Sequence, residues 1–137
     1  HQIYLTEKSM SLTNPFETST LSYLLTTGTV TRPTAWYIGL FTSDPTDTGV
    51  AGTEVSGFAY ARTVTTFSVT GNTASNTAGI EFPAASGGAW GTVGWIGIMD
   101  AASGGNMIIH SALTASKVIA DGDVFRIPTG DLDVTLD

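Results

Sequence analysis

The sequence predicts an all-β domain: a β-sandwich of jelly-roll or immunoglobulin-like type, with about seven or eight strands and one short N-terminal helix. Three observations predict it. Beyond Pro33, turn-forming residues punctuate the chain roughly every 8–12 residues. No strand-like run alternates with a helical one, which excludes a parallel α/β sheet. Several runs are apolar on both faces and others on one face, which suits two packed sheets better than a closed barrel.

The helix is expected over about residues 15–27. Asn14-Pro15-Phe16-Glu17 offers a capping residue, a proline at the first helical position and a Glu able to reach back to the cap. Phe16, Leu21, Leu24 and Leu25 read as an apolar stripe turned to the core, with assembly as the alternative use of the helix. Gly28 follows where a left-handed residue would end it.

The strands follow in order. Trp36 to Phe41 is aromatic and aliphatic throughout, so both of its faces are expected to be covered. Thr42 to Gly49 is a turn region and Val50 to Gly57 a glycine-punctuated loop. Tyr60 to Val69 alternates as one strand, Thr70-Gly71-Asn72 is a turn, and Ala78 to Phe82 is a short strand ended by Pro83. After Ser86-Gly87-Gly88, Thr92 to Met99 forms a strand, and Asp100 to Asn106 a loop. Met107 to Leu113 and Lys117 to Ala120 are both extended, and Asp121-Gly122-Asp123 is a hairpin-type turn. Val124 to Ile127 is a strand, and Leu132, Val134 and Leu136 alternate against Asp131, Asp133, Thr135 and Asp137.

Composition narrows the function. The 137 residues suit one domain, read as 10–137. Residues 1–9 read as an N-terminal extension or expression remnant, because Met10-Ser11-Leu12 offers a start and the segment lacks an apolar signal region. The longest apolar stretch, Val93 to Met99, falls short of the ~20 residues a membrane span needs, so no membrane partner is expected. Five basic against twelve acidic residues give a net charge of −7, which repels phosphates and argues against a nucleic-acid partner. The absence of cysteine excludes disulfides and thiolate chemistry.

Candidate chemistry is sparse. His110 is the one internal histidine, in a strand where a bond to a neighbour is the expected role, and no Gly-x-Ser-x-Gly elbow accompanies it. Asp121/Asp123 and Asp131/Asp133 are paired carboxylates, with Asp131 and Asp133 expected on one strand face about 7 Å apart. Calcium is one use of such pairs, and solvated turns the other. Phosphate-binding glycine motifs are absent, and no cofactor is expected. Trp36, Trp90 and Trp95, with Tyr37 and Tyr60, would make a sugar-stacking platform if exposed. Trp36 and Trp95 read as core, whereas Trp90, flanked by glycine in a loop, is the aromatic expected at the surface as an interface anchor.

Longer matches carry a resemblance. They are Met10-Ser11-Leu12-Thr13-Asn14, then Trp36 to Asp47, Gly52 to Arg62 with Phe67, and Asn76-Thr77-Ala78 to Phe82-Pro83. Trp90 to Val93 with Ile96 to Ile98, Asp100 to Asn106 and Gly122 to Arg126 complete them. Over residues 10–137 the chain resembles a family of small structural proteins of tailed-phage virions, whose members carry tail-fibre or head-decoration (cement) labels. The resemblance implies a β-sandwich without catalytic residues. The function expected from it is a cement protein on the outer capsid surface that stabilises the assembled shell. Its partners would be the major capsid protein and further copies of itself, as a trimer. The alternative is a tail-fibre or baseplate component with host-glycan binding as an added role. The interface is expected at Phe16, Glu54 and Trp90, on the helix and two glycine-rich loops.

Overall fold

A computed structural model describes residues 2–4 and 10–136. Of the expected N-terminal extension, His1 and residues 5–9 lie outside the described residues. The described residues form eleven strands and one helix: β1 (Gln2–Tyr4), β2 (Ser11–Leu12), α1 (Asn14–Leu25), β3 (Trp36–Phe41), β4 (Thr63–Thr65) and β5 (Phe67–Thr70). The rest are β6 (Thr73–Asn76), β7 (Ile80–Glu81), β8 (Gly91–Met99), β9 (Met107–Ile119), β10 (Val124–Ile127) and β11 (Asp133–Thr135).

The strands form a five-stranded sheet, order β2-β9-β8-β3-β4, and two three-stranded sheets, β11-β6-β5 and β1-β10-β7. All pairs are antiparallel except β1 with β10. One apolar core joins the three sheets: Ile38, Leu40, Ile96 and Ile98 from the large sheet meet Ile80, Phe125 and Ile127 from one small sheet and Leu132 beside the other. This is the sandwich-like all-β architecture that the turn spacing predicts.

Strand β3, held between β8 and β4, shows why its sequence is apolar throughout. Ile38 and Leu40 face the main core, while Phe41 joins Met99 and Met107 in a second cluster flanked by Tyr37 and Trp95. Room for that cluster comes from two paired glycines, Gly39 opposite Gly97. A Cβ on Gly97 would stand 2.7 Å from Met107 Cε and 3.1 Å from Phe41 Cε1. Both faces of β3 are covered, as its composition requires.

Four local expectations are corrected. Tyr60–Val69 is not one strand: β4 pairs with β3, and after Thr66 the chain crosses to pair with β6 in another sheet. Conversely, the two extended runs after Asn106 are one strand, β9, whose residues 113–116 bulge opposite Gly94. Asp121-Gly122-Asp123 is a tight turn, with Asp123 N–H donating to Ala120 O at 3.0 Å, yet not a hairpin. The strands on either side of it, β9 and β10, lie in different sheets. Asp131 belongs to a turn, its N–H donating to Pro128 O, whereas Asp133 is in β11, so the two carboxylates do not share a strand face.

The helix differs most. It spans Asn14–Leu25, and its N-cap is Thr13, not Asn14. The Thr13 hydroxyl donates not to the helix but to Met107 O on β9, at 2.7 Å. No residue of α1 is buried. Gly28 does not adopt a left-handed conformation; the helix ends at Thr26 with φ −134°, where the backbone N–H and the hydroxyl both donate to Ser22 O. The expected core stripe fails on angle: at 100° per residue, Leu21 and Leu25 lie about 140° and 180° from Phe16. Phe16 turns inward against the core and the leucines turn outward.

Candidate functional site

Two of the residues expected at an interface, Glu54 and Trp90, meet through a third, Tyr60. The loop leaving β3 returns to it: Val55 N–H donates to Leu40 O at 2.9 Å, which sets Glu54 beside Phe41. Tyr60 then reaches back, its hydroxyl donating to Glu54 Oε2 at 2.6 Å and accepting from Leu40 N–H at 3.0 Å. The Tyr60 ring meets the Trp90 indole edge-on, with centroids 5.3 Å apart. Trp90 in turn packs edge-on against Phe82, and Phe82 against Phe125, leading into the core.

Arg62 completes the arrangement. Its Nε donates to Glu54 Oε2 and its Nη2 to Oε1, both at 2.8 Å, the forked geometry that makes such pairs strong. Its Nη1 donates to the Ala101 and Gly104 carbonyls, also at 2.8 Å, pinning the loop between β8 and β9. The Arg62 guanidinium is held above its ordinary range by the Glu54 hydrogen bonds. Burial, and then the Glu54 contact, push the Tyr60 phenol far above its ordinary range, so it stays a proton donor. These side chains floor a shallow recess walled by residues 55–57 and 102–104.

Chemically this is a rivet, its polar groups engaged with one another and with backbone carbonyls. Both Glu54 oxygens accept hydrogen bonds, every nitrogen of Arg62 donates, and Tyr60 does both. What the rivet does is hold two surface loops at a fixed separation. Between Gly57 and Tyr60 stand two consecutive non-glycine residues with positive φ, Phe58 (51°) and Ala59 (67°), a strained pair that its surroundings must hold. Phe58 O accepts from Trp90 Nε1 at 2.9 Å and from Ser86 N–H at 3.0 Å, and the half-exposed Phe58 ring lies over Gly88.

The expected exposure of Trp90 is therefore corrected: its side chain is 6% exposed. The glycine-flanked loop tucks the indole between Tyr60 and Phe82, so the residue presented in this region is Phe58. Sequence reading passed over Phe58, and the signal available was its place in Ser56-Gly57-Phe58-Ala59, an aromatic in a turn. Phe16, the third expected interface residue, belongs to α1 and packs partly against the core.

The remaining candidates take structural roles. His110 Nε2 and Asp47 Oδ1 are 2.8 Å apart, the neighbour bond expected of a strand histidine. The adjacent Ser111 is buried and its hydroxyl donates to Ala112 O. Asp121 accepts from Gly87 N–H and Asp123 from Ala120 N–H, so both carboxylates fasten turns. Among the described residues no group of three His, Asp or Glu side chains converges as a metal site would require. A residue the sequence did not single out, Asn76, is buried: its amide donates to the Ala78 and Pro128 carbonyls and its oxygen accepts from Leu132 N–H.

A family model described as Podophage GP4 fiber I protein gp80 matches residues 11–135, all but the first ten residues and the last two. The chain belongs to this family, one of phage virion structural proteins. No curated protein matches the chain.

Proposed function

We propose that this member of the podophage fiber I family is a non-enzymatic fibre subunit of the virion. Its rigid loops and helix are the surfaces that meet neighbouring virion proteins and further copies of the same chain, as a trimer. The family match over residues 11–135 carries the reading. The chemistry of the recess supports it, since Glu54, Tyr60 and Arg62 are committed to one another and to backbone carbonyls. Chain segments held this firmly suit a repeated assembly module, where many modest contacts act together.

The second reading is a cement protein on the outer capsid surface, bridging major capsid subunits and binding only the assembled shell. The sequence resemblance to head-decoration proteins favours it. Location and copy number in the intact particle, read by cryo-electron microscopy, separate the two. Density at the tail in a few copies is the expected result. Density at capsid three-fold or quasi-three-fold axes, in numbers approaching those of the capsid protein, would replace the fibre reading with the cement one. Host-glycan binding through Trp90 loses its basis, because the indole is enclosed.

A further inference from the structure

At one end of the core the sheets do not close on each other. Val69, Ala74 and Val134 stand in one row across β5, β6 and β11, and Phe67, two residues before Val69, shares their face. They line a cleft of about 360 Å³ together with Trp36, Ile98, Ile108 and Ile109 from the large sheet. The deep end of the cleft belongs to the core, with Ile98 and Ile108 2% and 8% exposed. The outer end is open: Val69 lines the cleft yet is 73% exposed. In a packed sandwich the two inner faces interdigitate and leave no such space.

One charged side chain reaches the cleft, the exposed Arg32. The other two arginines are paired, Arg62 with Glu54 and Arg126 with Glu81. Arg32 has no ion-pair partner among the described residues, and no acid lines the cleft beside it.

We propose that this cleft binds a single-chain anionic amphiphile, such as a medium-chain fatty acid, with the chain between the sheets and the carboxylate on Arg32. The lining selects the class. Apart from the Trp36 indole N–H, no side chain but Arg32 offers a hydrogen bond. A sugar or a peptide backbone would give up its water here and find too few partners. An acyl chain has no such groups, and its burial is favourable in proportion to its apolar area. The space matches small-ligand pockets, which begin near ~300 Å³. The head group follows from charge: an unpaired guanidinium at the open side fits a carboxylate through its fork of donors.

Titration of the full chain with monomeric decanoate, below its micelle concentration, tests this by NMR on the methyl groups of Ile108, Ile109 and Val134. Saturable one-to-one binding is expected, with shifts concentrated at this end of the core. Decanol, the same chain without the charge, is expected to bind roughly three- to tenfold more weakly, and Arg32→Ala to lower decanoate to the level of decanol. Ala74→Leu, which fills the cleft, is expected to weaken decanoate at least about tenfold, with the near-ultraviolet signal of the tryptophans unchanged. If Ala74→Leu disturbs that signal, the decanol and Arg32→Ala comparisons decide alone. A wild type without saturable binding overturns the proposal. So does decanol binding as tightly as decanoate, or a folded Ala74→Leu chain that binds as the wild type does. Methyl signals that move with protein concentration alone would assign the cleft to a second copy and overturn it too. The site does not depend on whether the virion carries the chain on tail or capsid, so this proposal and the fibre reading fail separately.

Discussion

Arg62 grips Glu54 through two parallel hydrogen bonds of 2.8 Å, and with its remaining nitrogen it holds the carbonyls of Ala101 and Gly104. One side chain thus ties together the loop after β3, the segment entering β4 and the loop between β8 and β9. The Arg62 side chain is 8% exposed and that of Glu54 24%, so water replaces these bonds poorly if one partner is lost.

Removing Arg62 is therefore expected to cost more than a surface ion pair. Arg62→Ala leaves a partly buried carboxylate and two carbonyls without their donor, a loss of about 2–4 kcal/mol in urea unfolding. Arg62→Lys is expected to recover less than half of that, because an ammonium cannot reproduce the fork. A cost under about 1 kcal/mol for Arg62→Ala would show that the rivet contributes little to stability.

Tyr60 makes stability depend on alkaline pH. An exposed tyrosine loses its proton near 10.0, and in the folded chain burial, then Glu54, hold the proton on above that. Between those two points the native state binds more protons than the unfolded one. Stability from this group is complete below about pH 10 and falls as pH rises further, by up to ~1.4 kcal/mol per pH unit. Tyr60→Phe is expected to be less stable at neutral pH by about 1–2 kcal/mol, from the lost hydroxyl bonds. It is also expected to show a flatter decline above pH 10, and parallel alkaline unfolding curves for the two proteins would contradict this.

Asn76 joins three backbone segments. Asn76→Ala strips partners from Ala78 O, Pro128 O and Leu132 N–H in a buried site. The expected loss is about 2–4 kcal/mol, with faster amide exchange at Leu132 than elsewhere in the core. Exchange at Leu132 matching the wild type would show that other contacts hold that segment.

Gly97 is the tightest point of the second apolar cluster. In Gly97→Ala the new methyl meets Met107 Cε at 2.7 Å and Phe41 Cε1 at 3.1 Å, so both side chains must shift. About 1–3 kcal/mol of destabilisation is expected. Trimming the neighbour in Gly97→Ala/Met107→Ala is expected to give a cost below the sum of the two single changes, and additive costs would refute the contact.

By itself, the sequence determined the class and rhythm of this protein: all-β, a short helix before Pro33, an apolar run from Trp36 to Phe41 as a strand, and His110 placed in a strand. Those features are local, because period and turn chemistry are written in residues next to one another. Tertiary structure alone decided which surfaces meet. Thr66 is where the chain changes sheets, Trp90 is enclosed because Tyr60 and Phe82 arrive from distant segments, and Asn76 is central because Pro128 and Leu132 come to it. The leucines of α1 look like core residues in sequence and stand outside because only Phe16 turns toward the sheets. Apolar composition states that a side chain favours burial; the register between strands far apart in the chain determines what is there to bury it.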